Sequence, residues 1–152
     1  MFPEREICIW SKNAYTYILE KRDDPMRDTL DRVARELTTM TRQAPTAQMG
    51  PFTVVCRYSE GKGVGPHKDD DFNTTSNVIV SMTLIGAATF SVMIGKTWHD
   101  MHLEEGDIVI FDRNVLHKAG GARGTRVNVT TRYARKGDQR VFITPEWYDN
   151  KT

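Results

Sequence analysis

The spacing of hydrophobic positions along the chain changes once, and that change divides it. After Asp23-Asp24-Pro25, apolar residues fall at Met26, Leu30, Val33, Ala34, Leu37 and Met40. This three-and-four spacing predicts one amphipathic helix over 26–40, with acidic residues ahead of it where a helix N-terminus favours them. Upstream, the β-branched and aromatic runs 6–10 and 15–19 flank the polar Ser11-Lys12-Asn13, so they read as two strands around a turn, able to pair as a hairpin. A loop rich in Gln, Ala, Pro and Gly, residues 43–51, closes the helical part. From Phe52 onward the pattern is β, with predicted strands at 52–58, 77–84, 88–94, 98–103, 107–111, 126–133 and 140–144. Glycines at 61, 63, 65, 86, 95, 106, 120, 121 and 124 punctuate these runs. Many short strands behind one helix predict a mainly β sandwich or jelly roll, without repeats or a linker.

Size and composition narrow the possibilities. At 152 residues the chain is expected to be a single domain over 1–152, with an N-terminal lid and helix region at 1–51 and a jelly-roll core at 52–152. A net charge of +1 supplies no global basic field, so nucleic-acid affinity would have to come from a local patch. Cys8 and Cys56 lie far apart with no metal-type spacing, and nothing upstream resembles a secretory signal, which favours a reduced, cytoplasmic setting. No apolar stretch approaches the length of about 20 residues that a membrane span needs, and a soluble, monomeric protein is expected.

Two segments carry chemistry. In Arg126-Val127-Asn128-Val129-Thr130-Thr131-Arg132, strand alternation turns Arg126, Asn128, Thr130 and Arg132 to one face. On a solitary half-buried strand that face would meet solvent. Turned into a barrel, its two guanidiniums would demand carboxylates, and a small dicarboxylate would serve. The second segment, His67-Lys68-Asp69, sets an imidazole beside a carboxylate, two corners of a metal site. Alone it is weak, and a solvated turn in the acidic run Asp69-Asp70-Asp71 competes with it. A third histidine would complete the two-His-one-carboxylate set that leaves iron positions open. His99, His102 and His117 compete, and His117 is favoured because it lies between the strand 107–111 and the arginine strand. His99 and His102 form an HxxH that hints at zinc but has no further ligand nearby, so they read as surface residues of a β-hairpin.

Taken together, His67-Lys68-Asp69, His117 and the run from Arg126 to Arg132 resemble the AlkB-type oxidative demethylases, whose pattern is HxD, a distant His, then RxNxTxR. The resemblance extends upstream through Tyr58 and Gly61 and covers most of the chain. It implies a double-stranded β-helix in which His67, Asp69 and His117 hold Fe(II) and act in catalysis, with 2-oxoglutarate and dioxygen as co-substrates. It further implies that Arg126, helped by Tyr58, pairs with the distal carboxylate of 2-oxoglutarate, that Asn128 and Thr130 line the same pocket, and that Arg132 braces the metal-site carboxylate and the co-substrate. The implied reaction oxidises an N-methyl group of a nucleic-acid base, releasing formaldehyde, succinate and carbon dioxide. One departure stands out: Cys56 occupies a position, two before the tyrosine, where the family often has Asn. A polar contact is then lost or replaced, with weaker 2-oxoglutarate binding, unless Cys56 is simply a small core residue.

On the substrate side, the resemblance points to Phe111 as an aromatic platform with His67 as the opposing face, though a plain core role for Phe111 fits as well. Asp71 is placed to contact the base edge or to be a solvated charge. Trp10 and Tyr15 fall where the family builds a substrate lid, and Arg5, Lys12, Lys21 and Arg22 form a thin basic ladder for phosphates. The run from Asp69 to Asp71 and the strand region after it are more similar to AlkB domains within the replicase polyproteins of plant RNA viruses, which implies methylated RNA ahead of DNA and a domain of a larger polyprotein. Two rival readings remain. One is an Fe(II)/2-oxoglutarate hydroxylase of an amino acid or protein side chain, and the other is a non-catalytic jelly-roll binding module.

Overall fold

The computed structural model of the chain describes residues 27–69, 77–135 and the backbone of 5–11. The described elements, in chain order, are β1 (Arg5–Ser11), α1 (Arg27–Met40), β2 (Met49–Tyr58), β3 (Val64–His67), β4 (Val78–Ile94), β5 (Thr97–Leu103), β6 (Ile108–Asp112), β7 (His117–Ala119) and β8 (Arg123–Arg135).

The helix forms where the apolar spacing predicts it, and it ends among threonines. Thr38 Oγ1 donates to the Ala34 carbonyl at 2.7 Å and Thr41 Oγ1 to the Thr38 carbonyl at 2.6 Å. Such hydroxyls compete with helical backbone bonds, and Arg42, at φ 55°, then takes the left-handed conformation that stops the helix. Ala34 and Leu37 pack on Val55, Val80 and Val129, with Val33, Val78, Met82, Leu84 and Val127 around them. Each fully buried aliphatic side chain contributes about 1.5–3 kcal/mol, so this contact fixes the helix to one face of the sheet. The Tyr133 hydroxyl donates to the Gln43 carbonyl at 3.0 Å and ties down the loop that follows.

All described pairings are antiparallel, and β4 belongs to two sheets. Its first part lies between β6 and β8, continuing through β2 to β1; its second part lies between β5 and β7, continuing to β3. Contacts between the two sheets, such as Phe111 on β6 with His117 on β7, close the assembly into a jelly roll. The mainly β jelly roll expected from the strand pattern is therefore the fold observed.

Three local expectations need correction. The separate strands expected at 77–84 and 88–94 are one continuous strand, bent where its register with β8 shifts between Thr83 and Ala87. Gly86 sits in that bend at φ 79°, and a Cβ there would overlap the Thr125 carbonyl oxygen. The glycine marks a crossing between sheets, not a gap between strands. Strands β3 and β7 were not expected, because four and three residues are too few to show alternation. Finally, β2 begins at Met49, inside the segment read as a loop. The strands expected at 15–19 and 140–144 lie outside the described residues, so the hairpin of 6–10 with 15–19 has no test here; β1 pairs with β2 in register from Arg5↔Tyr58 to Ser11↔Phe52. Among the described residues no helix is long and apolar enough to cross a membrane.

Because Gly86 combines a left-handed φ with a close backbone approach, Gly86→Ala is expected to destabilise the fold by about 3 kcal/mol. Urea denaturation should show a lower midpoint with an unchanged slope; a midpoint equal to that of the parent would contradict the strain assigned to the bend.

Candidate metal centre

His67 ends β3 and His117 begins β7, and the pairing of these strands sets the two residues directly opposite each other, with ring centroids 4.3 Å apart. Asp69 follows two residues after His67, its amide donating to the Arg113 carbonyl at 3.0 Å, which holds it against the turn that follows β6. One carboxylate oxygen lies 3.5 Å from His67 Nε2 and the other 3.5 Å from His117 Nε2. One ligand atom from each of the three residues fits within 4.8 Å of the others, so a single cation can be shared among them. The third corner is His117, as the sequence favours; His99 and His102 are exposed on β5, away from this set.

The tautomers follow from hydrogen bonding. His67 Nδ1 lies 2.8 Å from the Gly65 carbonyl and His117 Nδ1 lies 2.9 Å from the Val115 carbonyl. A carbonyl only accepts, so both Nδ1 atoms carry hydrogen and both Nε2 lone pairs face Asp69. Burial lowers the pKa of His117 below its usual 6.5, against the raising pull of the Val115 carbonyl and Asp69, and this keeps the imidazole neutral at pH 7. Burial alone would raise the pKa of Asp69, but the side-chain hydrogen bond with His67, the charge of Arg132 and, in the acid range where the imidazoles are protonated, the charges of His117 and His67 outweigh it and hold it at about 2. The centre thus offers two imidazole nitrogens and one carboxylate, the donor set that suits Fe(II) with positions left open.

Behind the centre runs the inward face of β8. Val129 on the alternate face is fully buried against the helix cluster, so the polar residues of β8 turn into the interior of the jelly roll. Arg126, Asn128 and Thr130 are buried, and Arg132 at the outer end reaches Asp69 Oδ2 at 3.7 Å. Asn128 Nδ2 donates to Thr130 Oγ1 at 3.1 Å and Ser81 Oγ at 3.3 Å, and Ser81 and Thr130 share a 2.9 Å bond. At the inner end Arg126 is 4% exposed. Its Nη2 makes only a 3.5 Å bond to Thr83 Oγ1, its Nε has no partner, and its guanidinium lies 5.6 Å from the Tyr58 ring centroid. Among the described residues no carboxylate pairs with it. Burial accordingly lowers its pKa from the ordinary arginine value. A buried, under-bonded guanidinium at the end of a polar ladder leading to the metal centre fits the distal carboxylate of a short dicarboxylic acid.

The substrate-side residues fare differently. Phe111 is half-buried and packs on the ring of His117 at 4.7 Å between centroids and on Phe90 at 5.3 Å. Trp10 lies on β1, but its side chain, like Tyr15 and Asp71, falls outside what the structure describes. Three interior residues escaped the sequence reading. Phe90 stands 5.5 Å from the His117 ring, and Ser81 and Thr83 carry the far ends of the polar ladder. Their signal was present, as hydroxyl residues alternating with Val80, Met82 and Leu84.

A family model for the 2OG-Fe(II) oxygenase superfamily matches residues 4–132 of the chain. Among solved structures, a prolyl-4-hydroxylase from Pseudomonas putida shares 15% identity, with 88% of this chain and 73% of that one covered and a TM-score of 0.58. KdgF from Halomonas sp. shares 18% identity over 62% of this chain and 76% of its own, with a TM-score of 0.45. An oxalate oxidase in complex with glycolate shares 12% identity over 57% of this chain, with a TM-score of 0.47, and the chain spans only 42% of its length. No curated protein matches the sequence.

The geometry ranks the contributions to metal binding. His117→Ala removes a donor and is expected to weaken Fe(II) binding by more than about 100-fold, whereas Arg132→Leu removes only the brace on Asp69 and should cost about 10-fold. Anaerobic equilibrium dialysis checks both; equal losses, or none for His117→Ala, would contradict the assignment.

Proposed function

Because the chain belongs to the 2OG-Fe(II) oxygenase superfamily, which works with Fe(II), 2-oxoglutarate and dioxygen, we propose that it is an AlkB-type oxidative demethylase of N-alkylated bases in nucleic acid, with RNA preferred to DNA. The observation that carries this reading is the inward face of β8. Arg126, Asn128, Thr130 and Arg132 form one line from the buried end of the pocket to Asp69, in the RxNxTxR order of the AlkB type.

In this reading His67, Asp69 and His117 hold the metal, and Arg126 with Tyr58 receives the distal carboxylate of 2-oxoglutarate. Asn128 and Thr130 fix the walls of that pocket through their bonds to each other and to Ser81. Arg132 keeps Asp69 ionised and oriented. When bound, Fe(II) and 2-oxoglutarate supply the oxidation of a C–H bond by dioxygen. The side chains of Phe111 and Phe90 make the wall beside His117 apolar, which excludes water and offers a flat surface to an unstacked base. Trp10, Tyr15 and Asp71 are proposed to complete the substrate side. Hydroxylation of the N-methyl carbon leaves a carbinolamine that breaks its C–N bond, returning the hydroxyl proton to the base nitrogen and releasing formaldehyde. All five carbons of 2-oxoglutarate leave as succinate and carbon dioxide, with one atom of dioxygen in succinate and the other in the hydroxymethyl group.

The test is product analysis on N-methylated RNA and DNA oligonucleotides beside free amino acids and peptides. Formaldehyde and succinate should appear in equal amounts with the oligonucleotides, faster with RNA. Hydroxylation of amino acids or peptides, with no formaldehyde from any oligonucleotide, would overturn the reading.

A further inference from the structure

The pocket behind the metal centre contains a nucleophile that the proposed reaction does not use. Cys56 lies opposite Asn128 in the β2–β8 register, and Tyr58 lies opposite Arg126. Strand alternation therefore puts all four residues on one inward face. Cys56 is buried, packs with Tyr58 and Ala122, and lies close enough to Arg126 to influence its charge. Two polar atoms in this same corner are buried without a hydrogen-bond partner, Arg126 Nε and Asn128 Oδ1, and both belong to residues more than nine-tenths buried. The corner is thus built to receive a polar ligand, and the thiol is part of its wall.

We infer that Cys56 is a covalent-modification site inside the co-substrate pocket, open to small thiol-directed electrophiles when the pocket is empty and shielded when a dicarboxylic acid occupies it. The inference rests on reading this corner as the 2-oxoglutarate site. The nucleophile is the thiolate, and a neighbouring cation that no carboxylate neutralises among the described residues favours that form, whereas apolar burial opposes it. A dicarboxylate acts twice, by covering the sulfur and by satisfying the guanidinium. A passage wide enough for 2-oxoglutarate admits a smaller reagent such as iodoacetamide. In that reaction the Cys56 sulfur forms a bond to the methylene carbon as the carbon–iodine bond breaks; iodide leaves, the thiol proton passes to solvent, and nothing is oxidised or reduced. The resulting adduct fills the space beside Arg126 and excludes the co-substrate.

The full chain would be treated anaerobically with iodoacetamide, with and without Fe(II) and saturating 2-oxoglutarate, and the Cys56 and Cys8 peptides quantified by mass spectrometry, with Cys8 as internal reference. The inference predicts at least a tenfold slower modification of Cys56 with 2-oxoglutarate present, and a loss of calorimetric 2-oxoglutarate binding on alkylation of the parent, whereas whatever affinity Cys56→Ser protein has is the same before and after the treatment. If 2-oxoglutarate binds and the Cys56 rate is the same with and without it, or Cys56 reacts only after denaturation, the inference falls while the pocket assignment stands. If 2-oxoglutarate does not bind to the untreated protein, both fall.

Discussion

A guanidinium enclosed in the jelly roll with no carboxylate beside it among the described residues is the constraint from which the rest of the interior follows. Placing Arg126 there costs on the order of several kcal/mol in lost hydration, and the bond to Thr83 together with the face of Tyr58 repays only part of it. The fold tolerates this because β8 is held from both sides. Its apolar residues are locked under the helix, and its register with β2 and β4 leaves the arginine no other direction to point. The stability of the helix–sheet contact therefore holds Arg126 in the interior, and the same strand carries Arg132 out to Asp69, linking the buried arginine to the candidate metal centre.

The second determinant is the single strand β4, which crosses from one sheet to the other at Gly86. Its first part supplies Ser81 and Thr83 to the polar ladder, and its second part supplies Phe90 to the wall beside His117. Pairing of β4 with β7 places Val92 opposite His117, and pairing of β7 with β3 places His117 opposite His67. The metal ligands are thus positioned by backbone register, with only Asp69 on a loop, and that loop is fixed by its amide bond to Arg113.

How much of this was legible in the sequence depended on how far each feature is local. Alternation in a long strand is local, so the shared face of Arg126, Asn128, Thr130 and Arg132 could be read directly. The pairing of His67 with His117 is not local. It depends on two strands too short to show a period, and only the order of segments pointed to His117. Gly86 read as a strand break because a glycine in an apolar run has the same signature whether the chain turns back or changes sheets. Ser81 and Thr83 were hidden in a segment whose hydrophobicity spoke for core, since the helix-facing Val80 and Met82 dominate it.

The central claim, that Arg126 is held inside the fold to receive an acidic ligand, can be tested by thermal unfolding of the parent protein and Arg126→Met under argon with Fe(II), each with and without 2-oxoglutarate. Replacing the unpaired cation by an apolar side chain of similar length should raise the melting temperature of the ligand-free protein, and 2-oxoglutarate should stabilise the parent by several degrees and the variant far less. A variant that melts below the parent in the absence of ligand, with 2-oxoglutarate stabilising both equally, would contradict it.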